Sequence, residues 1–170
     1  MSIVVLHYPG FSAEAILNET TTSLWFDFVR HGQHRASQPL EVDLQSYLVF
    51  MLLRYMARPE IFDGTLAIRY LSATTEYGYT KKIADLNNIG DVSLIMAGLY
   101  PESHQARNVS DDYFLNIGRM AFFDLASCLE YRKPAEAKLY KKVGRGLSTL
   151  ASVLFAARGE GVVQDPTIHS

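Results

Sequence analysis

Asp27, His31 and His34 occupy positions i, i+4 and i+7, so on one uninterrupted helix a carboxylate and two imidazoles share a face. Those ligand types suit zinc or iron, which take imidazole nitrogen and carboxylate oxygen at roughly 2.0 to 2.2 Å. Against a metal stand three features. Gly32 can end the helix between the histidines, Arg30 and Arg35 add opposing positive charge, and no second Glu-x-x-His set completes a di-iron bundle. The expectation is a solvated polar face and no cofactor.

Asp91 and Arg119 are charges set among small and apolar neighbours, and a buried charge requires a partner. Paired with each other they form either an acid beside an anion-binding arginine or an ion pair that fixes helix register, and nearby backbone N–H groups are the other partners open to Asp91. The structural role is favoured, because such networks perturb titration without doing chemistry. Lys138, Lys141, Lys142 and Arg145 fall on one helical face, next to Arg132 and Lys133 in sequence, in the manner of a basic patch for phosphate or an acidic partner. With no interleaved aromatics and a formal charge of -2 for the chain, a nucleic-acid partner is not expected. Cys128 reads as packed core rather than nucleophile, and Gly144-Arg145-Gly146 lacks the lysine-serine continuation of a phosphate loop, so it reads as a loosened stretch of helix.

The elements that must position these groups are helical. From Glu41 to Arg58 the chain carries Tyr47-Leu48-Val49-Phe50-Met51-Leu52-Leu53 without a polar interruption, which predicts a buried central helix stopped by Pro59. The run is far short of the roughly 20 residues that cross a bilayer, and Asp43 and Arg54 flank it, so no membrane span is expected. Before it, Ser23 caps a helix with Leu24, Trp25, Phe28 and Val29 at helical spacing, ending near Gly32 or soon after. After it, Asp63 caps a helix with Leu66, Tyr70, Ala73 and Tyr77 on one stripe, closed by Gly78.

Ile83, Leu86, Gly90, Leu94 and Ala97 mark a second buried helix, whose Gly90 and Ala97 permit close approach of a neighbour and whose Asn87-Asn88-Ile89-Gly90 equally suits a break. Ser110, with Asp111 and Asp112 in the first turn, opens a helix buried along Phe114, Ile117, Ala121, Leu125 and Cys128. A last helix runs from near Pro134 to Arg158 with Leu139, Val143, Leu147, Leu150, Leu154 and Ala157 on one face. The result is an all-α single-domain bundle of about six helices around helix 41–58, with a flexible arm over about 1–20 and a frayed tail over about 160–170.

At 170 residues, 48% of them hydrophobic and 20% charged, the chain has the composition of an ordinary globular domain able to bury its own core. The lone Cys128 excludes an intramolecular disulfide framework and a cysteine-based zinc cluster, which points to a reducing cytoplasm. Ile3-Val4-Val5-Leu6 follows no basic region and meets Pro9-Gly10 at once, so a signal peptide is not expected.

Ile89-Gly90-Asp91-Val92-Ser93-Leu94 followed by Gly98-Leu99-Tyr100-Pro101-Glu102 resembles an uncharacterised family of bacterial helical proteins. A second block is similar to that family over Asn108-Val109-Ser110, Asp112-Tyr113-Phe114, Ile117-Gly118-Arg119 and Ala121-Phe122, and Tyr47-Leu48 to Leu52-Leu53 looks like its earlier helix. The likeness covers about residues 23–130 and departs at Phe114 and Phe122, which stand where the family pattern has tyrosines. It implies the helical fold and no activity.

Ten tyrosines and nine phenylalanines are more than one small core readily hides, so the leading expectation is a non-enzymatic interaction or regulatory protein that self-associates. The competing class is a small-molecule or metal-binding protein built on an interhelical pocket around Asp91 and Arg119 or on the histidine face.

Overall fold

The computed structural model describes residues 21–55 and 65–159, and these form eight helices with no strand among them. They are α1 (Thr21–Ala36), α2 (Val42–Tyr55), α3 (Leu66–Thr74), α4 (Tyr79–Leu99), α5 (Ser103–Ala106), α6 (Tyr113–Leu129), α7 (Pro134–Arg145) and α8 (Leu147–Ala157). The all-α class expected from the sequence holds, with eight helices in place of about six. The arm 1–20, the Pro59 stop, the Asp63 cap and the tail 160–170 lie outside the described residues.

The extra helices have local causes. The expected last helix is divided at Gly146, the poorest helix former along it besides Gly144. Gly146 still donates to the Lys142 carbonyl and accepts from Leu150, at 2.9 Å each, so α7 and α8 meet at a bend rather than a loop. The single turn α5 fills the connection between α4 and α6.

α1 runs through Gly32 and stops at Ala36, where Ser37 takes a positive φ of 52° and Gln38 donates to the Gln33 carbonyl at 3.0 Å, a left-handed helix ending. α3 ends earlier than expected. The Thr74 and Thr75 hydroxyls donate back to the carbonyls of Leu71 and Ser72, and Glu76 accepts the Gly78 amide, which turns the chain and leaves Tyr77 fully exposed instead of on the buried stripe. α6 begins at Tyr113, so Asp111 and Asp112 precede the helix rather than occupy its first turn.

The centre of the bundle is α4, not the 41–58 helix. α4 is continuous through Asn87–Gly90, is buried without interruption from Ile89 to Met96, and packs against α3, α6 and α8. Two glycines allow that crowding. A Cβ at Gly90 would stand 2.8 Å from the Phe122 ring of α6, and one at Gly98 would stand 2.7 Å from Leu154 Cβ of α8. α2 is instead peripheral on one side. Its Tyr47, Leu48, Val49, Met51, Leu52 and Tyr55 are buried, whereas Phe50 is 50% exposed and Val42 79%. An unbroken apolar run therefore did not mean burial all round.

The exposed aromatics Phe50, Tyr77, Phe123, Tyr131 and Phe155 are spread over several elements, while Trp25, Phe28, Tyr47, Tyr55, Tyr100, Phe114 and Phe122 belong to one continuous core. Among the described residues no helix is long and apolar enough to cross a membrane.

Candidate functional site

On α2, Asp43, Ser46, Tyr47, Phe50 and Arg54 are spaced as neighbours on one side of a helix. This side lines an open groove of about 610 Å³, completed by Asn87 of α4 and by Leu139 and Tyr140 of α7. Tyr47, Phe50, Leu139 and Tyr140 make it largely apolar, and Arg54 and Asn87 supply polar atoms.

The groove's floor is anchored from beneath by Asp91. That carboxylate is wholly buried. Its Oδ1 accepts the Tyr47 hydroxyl and its Oδ2 accepts Arg54 Nη2 at 3.0 Å; the Tyr55 hydroxyl also donates to it. Arg69 donates to Asn88, which in turn donates to Tyr55, extending the chain of hydrogen bonds toward α3.

Asp91 thus has the buried, charge-assisted environment that its apolar neighbours predict, but the cation is Arg54 rather than Arg119. Arg119 reaches the other way and donates to Ser148 of α8. The reason is geometric: 91 sits on the side of α4 that meets α2, whereas 119 lies on α6 toward α8. Burial pushes the Asp91 carboxyl above its ordinary range, opposed by Arg54 and the two hydroxyls.

Three rings form the structural wall. Tyr47 meets Phe122 and Tyr140 edge-on, both with centroids 6.1 Å apart, and Phe122 stacks on Tyr140 at 6.2 Å with an interplanar angle of 16°. Asn87 Nδ2 donates to the Tyr140 hydroxyl at 3.1 Å and fixes the α7 side. Because Phe122 lies directly on Gly90, the glycine of α4 sets the depth at which the whole ring cluster sits. At the far end Lys142 pairs with Glu41 and Asp43 at 2.6 Å each, tying α7 to the start of α2.

Two other sequence candidates come apart. Lys142 is engaged as just described and Lys141 pairs with Glu130 at 3.4 Å, so of the expected basic patch only Lys138 and Arg145 remain as exposed cations on α7. Asp27 pairs with Arg30 at 3.2 Å and His34 is exposed, and among the described residues no three His, Cys, Asp or Glu side chains gather to hold a metal ion. The helix continues through Gly32 and ends soon after it at Ala36, and a shared face alone does not converge the side chains. Cys128 is half-buried and packed against the core.

Sequence reasoning missed Tyr47, Phe50, Arg54, Tyr55, Asn87 and Tyr140. A signal for part of the set existed: Tyr47 and Arg54, seven residues apart, place two polar tips on one side of an otherwise apolar helix.

The buried hydroxyls have a pH consequence. Desolvation, with Asp91 or Asp124 adding to it, raises Tyr47 well above its ordinary value, raises Tyr55 as well, and pushes Tyr70 up to about 12; Tyr140 is raised mainly by desolvation. A raised folded value means that stability is complete below the unfolded value near 10 and is lost as pH climbs above it. Buried Tyr47 alone then removes about 1.4 kcal/mol per pH unit. Urea unfolding compared at about pH 8 and about pH 11 should show a marked loss of stability, with the tyrosinate absorbance of this group appearing only on unfolding. Equal urea midpoints at the two pH values would contradict the geometry.

No family model, no curated protein and no solved structure matches the chain.

Proposed function

We propose that the protein is a non-enzymatic binding module that seats a small organic ligand in the groove between α2, α4 and α7. The observation that carries this reading is that the groove is held in shape by interactions beneath it. Tyr47 is fixed by buried Asp91, Tyr140 by Asn87, and both by the Phe122 ring. A preformed concavity of this size, apolar with a few placed polar groups, is what small-molecule sites generally offer, and preorganisation removes part of the ordering cost of binding. Binding is favoured over turnover because the Tyr47 proton and the Arg54 cation both serve the same buried carboxylate, which leaves neither group poised to exchange a proton near neutral pH. A reducing, cytoplasmic setting belongs to the same reading, on the ground of the lone Cys128.

The test is a fragment screen followed by amide chemical-shift mapping on the intact chain. Hits should perturb α2 around Tyr47 to Arg54 together with Leu139 and Tyr140, and Phe50→Ala should weaken them about tenfold, since a half-exposed wall residue contributes contact area without supporting the fold. Hits that map elsewhere, or that ignore Phe50→Ala, would remove this reading.

A further inference from the structure

We infer that the groove's ligand is an amphipathic monocarboxylate, with its carboxylate on Arg54 and its aliphatic or aryl body along Phe50, Leu139 and Tyr140. This rests on the binding role proposed above and names the chemistry of its ligand. Arg54 is the cation among the groove-lining residues, and its counter-charge, Asp91, lies beneath the groove rather than in its wall. At the opposite end Asp43 shares the Lys142 cation with Glu41, at 2.6 Å each, so that end carries the excess negative charge and a ligand's carboxylate belongs at the Arg54 end.

Arg54 is also held in place. Nη2 is tied to Asp91 at 3.0 Å, and the guanidinium carbon lies 5.5 Å from the Tyr55 ring centroid and 6.0 Å from that of Tyr47. Yet 46% of the side chain remains exposed, and among the described residues no other acceptor takes its remaining N–H groups. A guanidinium has five donors in a planar fork, so Asp91 on one nitrogen leaves an edge able to hold a second carboxylate.

The Tyr47 and Tyr55 hydroxyls take up acceptor positions on Asp91, so that carboxylate engages Arg54 at one nitrogen and the outer edge keeps N–H donors for a second carboxylate. A phosphate dianion is disfavoured. It would meet a single cation already paired with Asp91 from below, with apolar side chains on its other sides. The apolar walls exclude a small, fully hydrated acid for the complementary reason: nothing but Arg54 would hold it.

Titration calorimetry on the full chain with phenylbutyrate and octanoate, each against its uncharged amide, tests this. The acids should bind about tenfold to a hundredfold tighter than the amides, the usual worth of a charge-assisted hydrogen bond in a partly desolvated site. Arg54→Gln should bring each acid down to its amide while leaving the amide unchanged, and Phe50→Ala should weaken all four compounds. Should Arg54→Gln fail to fold, Arg54→Lys, which keeps the charge without the fork, should reduce the preference for acid to a few-fold.

Acid and amide binding alike, an equal loss of both in Arg54→Gln, or displacement of phenylbutyrate by inorganic phosphate would overturn the monocarboxylate while the groove stands as a binding site. Binding of all four compounds that is indifferent to Phe50→Ala, or no binding by any of them, would overturn the inference. Fragment hits mapping away from the groove would remove the underlying role as well.

Discussion

Asp91→Ala is expected to lower stability by about 3 to 5 kcal/mol, a large part of the roughly 5 to 15 kcal/mol that holds a domain folded. The cost comes from the partners left behind. The Tyr47 and Tyr55 hydroxyls lose their acceptor in an interior from which water is excluded, and each orphaned buried donor costs about 1 to 3 kcal/mol. Arg54 adds less, because its half-exposed guanidinium can turn to water.

Asp91→Asn should fall between, since one oxygen persists as acceptor while the new amide protons need acceptors of their own. Tyr47→Phe combined with Asp91→Ala should cost less than the sum of the two, as expected of groups in one network. Arg119→Ala combined with Asp91→Ala should be additive within about 0.5 kcal/mol, because Arg119 bonds Ser148 instead. Thermal unfolding reads this directly, as a fall in Tm on the order of 10 °C for Asp91→Ala. A change within about 0.5 kcal/mol would reduce Asp91 to the status of a surface residue and contradict its burial.

Gly32→Ala should also destabilise, by about 2 kcal/mol or more, even though alanine is the better helix former by roughly 1 kcal/mol. A Cβ there would be driven into the Val153 carbonyl oxygen and would stand 2.8 Å from Ala157 Cβ. The obstacle is backbone, which cannot rotate aside as a side-chain tip can, so α1 and α8 have to separate along their contact. Gly144→Ala is the control. Its new methyl would stand 3.1 Å from the ring of Phe123, which is 38% exposed and free to swing, so stability should stay within about 0.5 kcal/mol of the original. Chemical denaturation of the two variants side by side checks the pair. A Gly32→Ala chain as stable as the original would mean that the two helices do not pack this closely.

The same glycine shows what a one-dimensional signal leaves out. In sequence Gly32 marks where the helix ends, there or soon after, because glycine is a poor helix former, and α1 does stop soon after it at Ala36. In the bundle it lies inside α1, where the missing side chain is what lets α8 approach. Gly90 likewise suits a break in sequence but lies inside α4, with the Phe122 ring against it. Gly146, with no neighbour pressed against it at that distance, does interrupt the helical run. Propensity decides where packing is neutral and yields where a close neighbour rewards the small residue.

The sequence by itself determined the helical class and most of the buried stripes, because apolar spacing depends only on the 3.6-residue period. It determined that Asp91 required a partner, since six apolar or small neighbours leave a carboxylate no route to water. It did not determine which cation answers. Arg54 and Arg119 both lie far from Asp91 along the chain, on helices either side of α4 in sequence, and only the rotation of α2 and α6 about α4 brings one guanidinium to the carboxylate and turns the other toward α8. The candidate site was hidden for the same reason. Its walls come from three helices separated by dozens of residues, and the open side of α2 is indistinguishable in sequence from a buried one, because whether Phe50 meets solvent depends on where α7 stops covering α2.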